Sequence, residues 1–346
     1  MGQTVVLLRF IVTLYALLGL VAYAHGGSAP ADKAAEAQEA QLLLKKIQSA
    51  AQRLNYTGTF VYQQGNLMRT SRITHLLEGR NEIEKLEVLD GKTREYIRTN
   101  EEITCYIPET RTLLVEKRVT KEVFPAIVAA NPADLSQHYE IKKGETGRIA
   151  GYDCQAVILA PKDGLRYGYK LWAEKSTGLL LRAQTIDEKN EVVEQIAFTQ
   201  LGIGNIDRRQ ARPSIVNTSG WRIENAVMEQ IDLSNWVVKS LPPGFVRVRE
   251  LRRMVSDTPA QSTTAAHGSV QQPSQREVSQ IVFSDGVATI SIFIEPGTQS
   301  RTEGSMRQGA TNIVGKRLGD YWLTVVGEVP PAAIRQIANS IEFKTK

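Results

Sequence analysis

The apolar residues of this chain change their spacing once, from a helical period to the period of β-strands. In the first segment they recur at i, i+4, i+7 and i+11, at Leu43, Ile47, Ala50 and Leu54. This spacing is typical of an amphipathic helix that buries one face. From Tyr56 to Leu201 the period is two, and turn residues return regularly between the apolar segments. The pattern therefore predicts one helix followed by an antiparallel meander, in which Asp-Gly pairs such as Asp163-Gly164 supply tight turns.

The clearest predicted strand runs from Leu165 to Trp172. Alternation places Tyr167, Tyr169 and Leu171 on one face and Trp172 on the other, so both faces carry aromatic bulk. A sheet that is apolar on both faces must be covered by helices or must curl around an interior. We therefore predict a curled sheet.

The alternation lapses between Val119 and Leu135. An apolar run from Phe124 to Ala130 precedes Asn131-Pro132 in this stretch. We predict a short helix here that plugs or lines the curled sheet. A mobile lid is the alternative.

A second β-rich region follows a stretch that is rich in Gly, Asn, Ser and Arg. Strands are predicted near residues 245–255, 278–283, 287–295, 311–317 and 321–326. A closing helix is predicted to begin at Pro330-Pro331, where a missing N–H does no harm, and to bury Ile334, Ile337 and Ile341. Between the first two strands, residues 256–275 contain almost nothing apolar, which predicts little fixed structure.

These elements predict an α+β fold that is mostly β. The first part, residues 33–205, is expected to form a large, curled antiparallel sheet with helices. A linker, residues 206–220, joins it to a smaller antiparallel β domain with a C-terminal helix, residues 221–346.

The first 24 residues predict export. Arg9 precedes an apolar run from Phe10 to Leu20, and Ala22-Tyr23-Ala24 matches the pattern that a signal peptidase cleaves. The apolar run is shorter than the roughly 20 residues that a spanning helix needs. We predict cleavage near Ala24 and a soluble, exported mature chain.

Charge is nearly balanced and unevenly placed. Removing residues 1–24 removes one base from 42 Lys+Arg and none of the 37 Asp+Glu, which leaves 41 against 37. Residues 25–205 carry 24 bases and 24 acids, and residues 206–346 carry 17 bases and 13 acids. The excess positive charge therefore lies wholly in the second part.

Cys105 and Cys154 are the two cysteines, and both fall in predicted strands. In an oxidising compartment they could form one disulfide, provided that their Cα atoms lie within about 7 Å of each other. The alternative is a pair of buried, apolar free thiols. The sequence leaves both open.

Signatures of catalysis, metal binding and cofactor binding are missing from the sequence. It has no H-E-x-x-H, no G-x-S-x-G and no dinucleotide or phosphate loop. The four histidines are scattered, whereas a zinc site needs three or four gathered ligands. We therefore predict a binding protein that is not an enzyme and holds neither metal nor cofactor.

Two basic clusters remain. One lies on a predicted strand and the other on the linker: Arg247, Arg249, Arg252 and Arg253, and Arg208, Arg209 and Arg212. Export argues against nucleic acid as the partner. Anionic lipids, glycolipid phosphates or an acidic protein segment are the remaining partners, because arginine binds such groups through bidentate hydrogen bonds. A solvated face with no partner fits the clusters equally well.

Several sequence motifs together resemble the MucB/RseB family of periplasmic sigma-E regulators. The resemblance is carried, in order, by residues 163–172 (DGLRYGYKLW), 177–182 (TGLLLR), 194–198 (EQIAF), 241–245 (LPPGF), 283–286 (FSDG) and 326–331 (VGEVPP). It implies a periplasmic protein whose first domain is similar to the half-open barrels of the lipoprotein carriers LolA and LppX. It also implies a second domain that binds the periplasmic part of a membrane-spanning anti-sigma factor, RseA or MucA, and shields it from regulated proteolysis. In this family, lipid or lipopolysaccharide loosens the complex.

The resemblance and the pattern together suggest two sites. The predicted lipid-lining residues are Phe60, Tyr62, Phe124, Ile127, Tyr167, Tyr169, Leu171 and Trp172. The predicted partner-binding residues are Arg247, Arg249, Arg252 and Arg253. A packed core is the alternative for the first set, and a free lipid or lipoprotein carrier is the alternative function. A homo-oligomer is left open.

Overall fold

The computed structural model describes residues 30–117, 132–226, 228–256, 275–297 and 301–344. The predicted export segment, Phe124 and Ile127 of the predicted lipid site, and residues 257–274 of the polar insert lie outside the described residues.

The first unit is a large, open sheet with two helices. The helices are α1 (Pro30–Arg53) and α2 (Pro132–His138). The strands are β1 (Tyr56–Gln64), β2 (Leu67–Glu78), β3 (Asn81–Val88), β4 (Arg94–Thr99), β5 (Glu102–Ile107), β6 (Thr112–Lys117), β7 (Tyr139–Ile149), β8 (Tyr152–Pro161), β9 (Gly168–Glu174), β10 (Leu180–Ile186), β11 (Val192–Ile203) and β12 (Arg222–Ala226). Their order in the sheet is β12-β6-β5-β4-β3-β2-β1-β11-β10-β9-β8-β7. Because the sheet does not close, it agrees with the predicted half-open barrel.

Helix α1 covers one end of this sheet, as the apolar spacing predicts. The residues of its buried stripe are Ala40, Leu44, Ile47 and Ala51. They lie in one core with Leu171 of β9, so the helix contributes to the fold by removing apolar surface from water. Leu43 of the predicted stripe is partly buried against the same core, one position away from the fully buried Leu44.

The second unit is a smaller sheet with one helix packed on it. Its strands are β13 (Met228–Gln230), β15 (Val246–Ser256), β16 (Gln275–Ser284), β17 (Thr289–Pro296), β18 (Gly304–Gln308), β19 (Thr311–Leu318) and β20 (Tyr321–Gly327). They are arranged in the order β13-β15-β16-β17-β20-β19-β18. A separate pair consists of β14 (Trp236–Val238) and β21 (Ile341–Phe343). The expected α+β, mostly β class is therefore confirmed.

Helix α3 (Pro331–Asn339) closes the second unit. It begins at Pro331, as predicted, and buries Ile334 and Ile337 against the second sheet. Ile341 is also buried in this core, but it lies in β21 and not in the helix.

The predicted linker, residues 206–220, forms an ordered strap on the first sheet, which we call the linker strap. Its Ser214 accepts a hydrogen bond from the buried Lys85 Nζ at 2.8 Å, and the Ser214 N–H donates to the Glu95 carboxylate at 2.9 Å. After the strap, β12 pairs in parallel with β6, from Arg222 opposite Thr112 to Ala226 opposite Glu116. Residues 222–226 fall in the range that we assigned to the second domain, yet they extend the first sheet.

The two cysteines are free thiols in the structure. Cys105 lies on β5 and Cys154 on β8, with seven strands between them in the order of the sheet. Burial raises the pKa of both thiols, that of Cys154 to about 11. The geometry therefore corresponds to the second alternative, two buried apolar side chains, and the possible disulfide is not formed.

Candidate functional site

Half of the described, predicted lipid-lining residues belong to one packed core. Tyr167, Tyr169 and Leu171 are buried together with Leu44 of α1 and Leu135 of α2. Burial raises the pKa of the Tyr169 hydroxyl well above its ordinary value, so this group stays un-ionised. In this conformation the three side chains fill the space between sheet and helices.

Phe60, Tyr62 and Trp172 lie elsewhere. Phe60 and Trp172 belong to a second core, in which Phe60 meets Phe198 edge to face at 5.9 Å. Tyr62 is partly buried at the border of that core. The structure therefore divides the predicted lining between two cores.

A small apolar cavity lies between helix α1 and the sheet, beside Leu180 and Phe198. Its volume is about 10 Å³. This is about the space of a single water molecule and far less than an acyl chain needs. An acyl chain could enter here only if the packing around α1 loosened.

The four predicted partner-binding arginines lie on β15 and have contacts within the chain. Arg247 lies over the Phe283 ring at 5.6 Å, pairs with Glu250 and donates to the Trp236 carbonyl. Arg253 lies over the Phe293 ring at 5.1 Å. These contacts give both side chains a structural role.

Arg252 and Arg249 are placed differently. Arg252 is 43% exposed and pairs with two exposed carboxylates, Glu229 at 4.0 Å and Glu277 at 3.1 Å. Exposed pairs of this kind are weak and can exchange for other anions. Arg249 is half-buried on the same strand. With 43% of its side chain exposed, against 26% for Arg247, Arg252 is accessible to an acidic partner.

A buried ion pair joins the two units. The Arg166 guanidinium, whose side chain is 0% exposed, lies 3.4 Å from the carboxylate of Asp285, whose side chain is 1% exposed. Arg166 also donates to the Pro243 carbonyl and lies over the Phe245 ring at 5.4 Å. Because both charges are removed from water, their contact fixes the position of one unit against the other. We call this group the Arg166 latch.

Further contacts extend the latch into a continuous interface. The buried Asn312 amide donates to the Tyr167 hydroxyl at 3.1 Å and to the Val329 carbonyl at 2.8 Å. Val287 and Ala310 of the second unit belong to the core of the first unit. The sequence patterns do not reveal these roles, although residues 163–166 and 285–286 are both present in the motifs that carry the family resemblance. An Asp-Gly pair by itself predicts only a turn.

A pair of carboxylates lies at the same interface. Glu194 of the first unit accepts hydrogen bonds from the Tyr62 hydroxyl and the Ala310 N–H, and from the Gln64 amide at 3.4 Å. Burial raises its pKa. Glu328 of the second unit keeps contact with solvent, yet desolvation by the surrounding protein and the charge of Glu194 raise its pKa. Each carboxyl group therefore holds a proton more tightly in the folded protein than in the unfolded chain.

This pair predicts that the stability of the protein falls as pH rises. The contribution of the two carboxyl groups to the free energy of unfolding is fully present below the ordinary glutamate pKa and is lost as pH rises through their raised pKa values. We measure the free energy of unfolding by urea titration between pH 4.5 and 7.5 and take its slope against pH. In the variant Glu194→Gln/Glu328→Gln we expect the part of this slope that comes from the two groups to be lost. Glu342→Gln, an exposed change on β21, serves as the control and should keep the slope. Identical slopes in all three proteins would contradict the prediction.

Within the described ranges, no group of three or more His, Cys, Asp and Glu side chains is arranged to hold a metal ion. Among the helices that the structure describes, none is both long and apolar enough to cross a membrane.

Comparison with known proteins gives one consistent result. The sequence model of the MucB/RseB N-terminal domain matches residues 39–216, and that of the MucB/RseB C-terminal domain matches residues 230–342. The chain is 29% identical to the sigma factor AlgU regulatory protein MucB of Pseudomonas aeruginosa, over 91% of this chain and 94% of the relative. It is 24% identical to the sigma-E factor regulatory protein RseB of Escherichia coli, over 87% and 90%.

Solved structures agree with the sequence comparison. The fold matches MucB in the Pseudomonas aeruginosa MucA/MucB complex with a TM-score of 0.67 and 25% identity, covering 89% of this chain and 100% of that one. It matches a crystal structure of MucB alone with a TM-score of 0.61 and 26% identity, covering 89% and 98%. Both matches extend over the two units.

Proposed function

Because the chain belongs to the MucB/RseB family, we propose that it is a periplasmic negative regulator of a sigma-E type envelope stress response. It would bind the periplasmic part of a membrane-spanning anti-sigma factor and shield that segment from regulated proteolysis. The observation that carries the proposal is the match of both units to MucB bound to MucA. The chain acts by binding and not by catalysis.

The interface between the units supports a rigid two-domain binder. The Arg166 latch and Asn312 tie the second unit, which carries the excess positive charge, to the first. A partner that contacts the second unit is thereby held at a fixed position against the first unit. We propose that Arg252 contributes to this contact, because its side chain is 43% exposed and can exchange its exposed partners for acidic groups.

The test uses the mature chain and the periplasmic segment of the anti-sigma factor encoded by the same organism. We expect a saturable complex in calorimetry and slower cleavage of the segment by the periplasmic protease that begins its degradation. Arg252→Gln should lower the association rate several-fold, and added salt should reduce the difference. Arg335→Gln, an exposed change on α3, is the matched control. Unchanged cleavage in the presence of excess mature chain would contradict the proposed function.

Lipid or lipopolysaccharide sensing by the first unit is the second part of the proposal. Each methylene group that a bound acyl chain buries contributes about 0.8 kcal/mol, but the described interior is packed. Lipid must therefore favour a conformation with a loosened α1, and it weakens the complex only if that conformation binds the partner less well. In the same assay, an acylated glycolipid should lower partner affinity. Saturable lipid binding with unchanged partner affinity would contradict sensing and favour the alternative, a lipid or lipoprotein carrier.

A further inference from the structure

An open cleft lies between the linker strap and the first sheet, on the side of the strap that faces β1, β2, β3 and β11. Its volume is about 560 Å³, within the roughly 300–1,000 Å³ that small-molecule sites occupy. One wall consists of Arg209, Gln210, Arg212, Pro213 and Ser214, and residues of the four strands form the other. It is about fifty times larger than the cavity beside α1, whose volume is about 10 Å³.

The cleft carries a positive charge. Its lining contains four bases and one acid: Arg72, Lys85, Arg209, Arg212 and Glu87. Two further acids, Asp207 and Glu95, pair with Arg209 and Lys85. Four bases against three acids still leave one positive charge in excess.

The basic side chains differ in how firmly they are held. Lys85 is buried, donates to Ser214 Oγ at 2.8 Å and lies 3.1 Å from Glu87. Arg72 lies at 3.9 Å from the same carboxylate and is half exposed. Arg212 is exposed on the strap. A fixed ammonium at the base of the cleft, with two movable guanidinium groups at its rim, is suited to an anion that enters from solvent.

The remaining walls select for a hydrophilic ligand. Hydroxyl and amide groups come from Thr57, Thr59, Gln200, Gln210 and Ser214, and the apolar side chains among the described lining residues are Leu201 and Pro213. Guanidinium groups bind phosphate through paired hydrogen bonds, and hydroxyl and amide groups match sugar hydroxyls. An acyl chain would find little apolar surface here.

We propose that this cleft binds a phosphate monoester of a sugar, with the phosphate held by Arg72 and Arg212 and the sugar hydroxyls by the polar walls. The site is separate from the packed cores beside α1, and it does not depend on the proposed function. Because the strap continues into β12, a bound ligand also joins the strap more firmly to the first sheet.

The test is a calorimetric titration of the mature chain, without any partner, with glucose 6-phosphate, inorganic phosphate and glucose. We expect saturable binding of glucose 6-phosphate, weaker binding of inorganic phosphate and none of glucose. Arg212→Gln and Arg72→Gln should each weaken binding by about tenfold or more, the effect of losing one charge-assisted hydrogen bond. Arg208→Gln is the matched control, because Arg208 lies on the same strap, pairs with Glu78 at 2.6 Å and does not line the cleft.

Hydrogen exchange locates the ligand independently of affinity. Glucose 6-phosphate should slow exchange of the amides of residues 209–214 in the unmodified protein and in Arg208→Gln, and should not slow it in Arg212→Gln.

A phosphorylated glycolipid in detergent micelles shows whether the sugar phosphate that binds is a lipid headgroup or a free molecule. Binding of both forms indicates a headgroup site, and binding of the soluble ester alone indicates a free sugar phosphate. Binding of the micellar form alone, equal binding of inorganic phosphate and the ester, or equal affinities in Arg212→Gln and Arg208→Gln would overturn the proposal.

Discussion

Replacing Arg166 by Met is expected to lower the free energy of unfolding by about 3–5 kcal/mol, because it leaves the buried Asp285 carboxylate without its opposite charge. The Pro243 carbonyl would lose its donor as well. Asp285 also accepts hydrogen bonds from the Val287 and Ala288 N–H groups, which hold its own turn. The variant Asp285→Asn keeps an oxygen that can accept these hydrogen bonds and removes only the charge. It should therefore also lower the free energy of unfolding, but by less than Arg166→Met.

Urea denaturation followed by tryptophan emission measures this loss, and calorimetry shows whether the units still unfold together. We expect the single transition of the unmodified protein to separate into two in Arg166→Met, since the latch holds the units against each other. Glu342→Gln breaks the exposed pair with Lys239 and should change the free energy of unfolding by less than about 1 kcal/mol. An unchanged single transition in Arg166→Met would show that the latch does not couple the units.

Replacing Ile337 by Ala is expected to destabilise the second unit by about 2–5 kcal/mol. Ile337 is fully buried on α3 in the core that contains Ile292 and Leu323, and truncation of such a side chain loses both its transfer free energy and the packing around it. If the second unit makes the main partner contact, affinity for the anti-sigma factor segment should fall with stability. Arg335→Ala, two residues away and exposed, should leave both unchanged.

An added osmolyte distinguishes a loss of partner affinity that is caused by unfolding from one that is caused by the loss of a direct contact. Partner affinity in Ile337→Ala should return toward the unmodified value when an osmolyte such as sucrose restores folding. A stable, well-folded Ile337→Ala protein with full partner affinity would contradict the expected role of this core.

The spacing of apolar residues predicts helices and strands well where buried side chains recur along the chain with a regular period. The alternation around Tyr169 and the spacing of Ile334 and Ile337 on α3 both place apolar side chains in the observed cores. Whether the side chains of a sheet line an open cavity or fill it depends on how closely α1 approaches. That distance results from long-range packing, which the period of one strand does not contain.

The sequence patterns also do not predict which distant strands and side chains pair with each other. Strand β12 has five residues, three of which are polar or charged, and its partner β6 is distant in sequence. Arg166 reads as an outward residue in an alternating run, yet it becomes buried because a second unit packs over it. A charge on a strand face is normally solvated, and the carboxylates of Asp285 and Asp163, at 3.4 and 3.5 Å from the guanidinium, make its burial tolerable.

The parallel pairing of β12 with β6 sets the order in which the protein can complete its fold. The chain is synthesised from its N-terminal end, so β6 emerges long before Arg222 can reach it. Until then β6 is an unpaired sheet edge, the kind of surface to which other extended chains add. A fragment that stops at Ile203 would keep that open edge permanently, whereas one that ends after Ala226 would carry its own protecting strand. The segment between the two family domains is thus a late-folding cap for the first domain, and the natural boundary for dividing the protein lies beyond it.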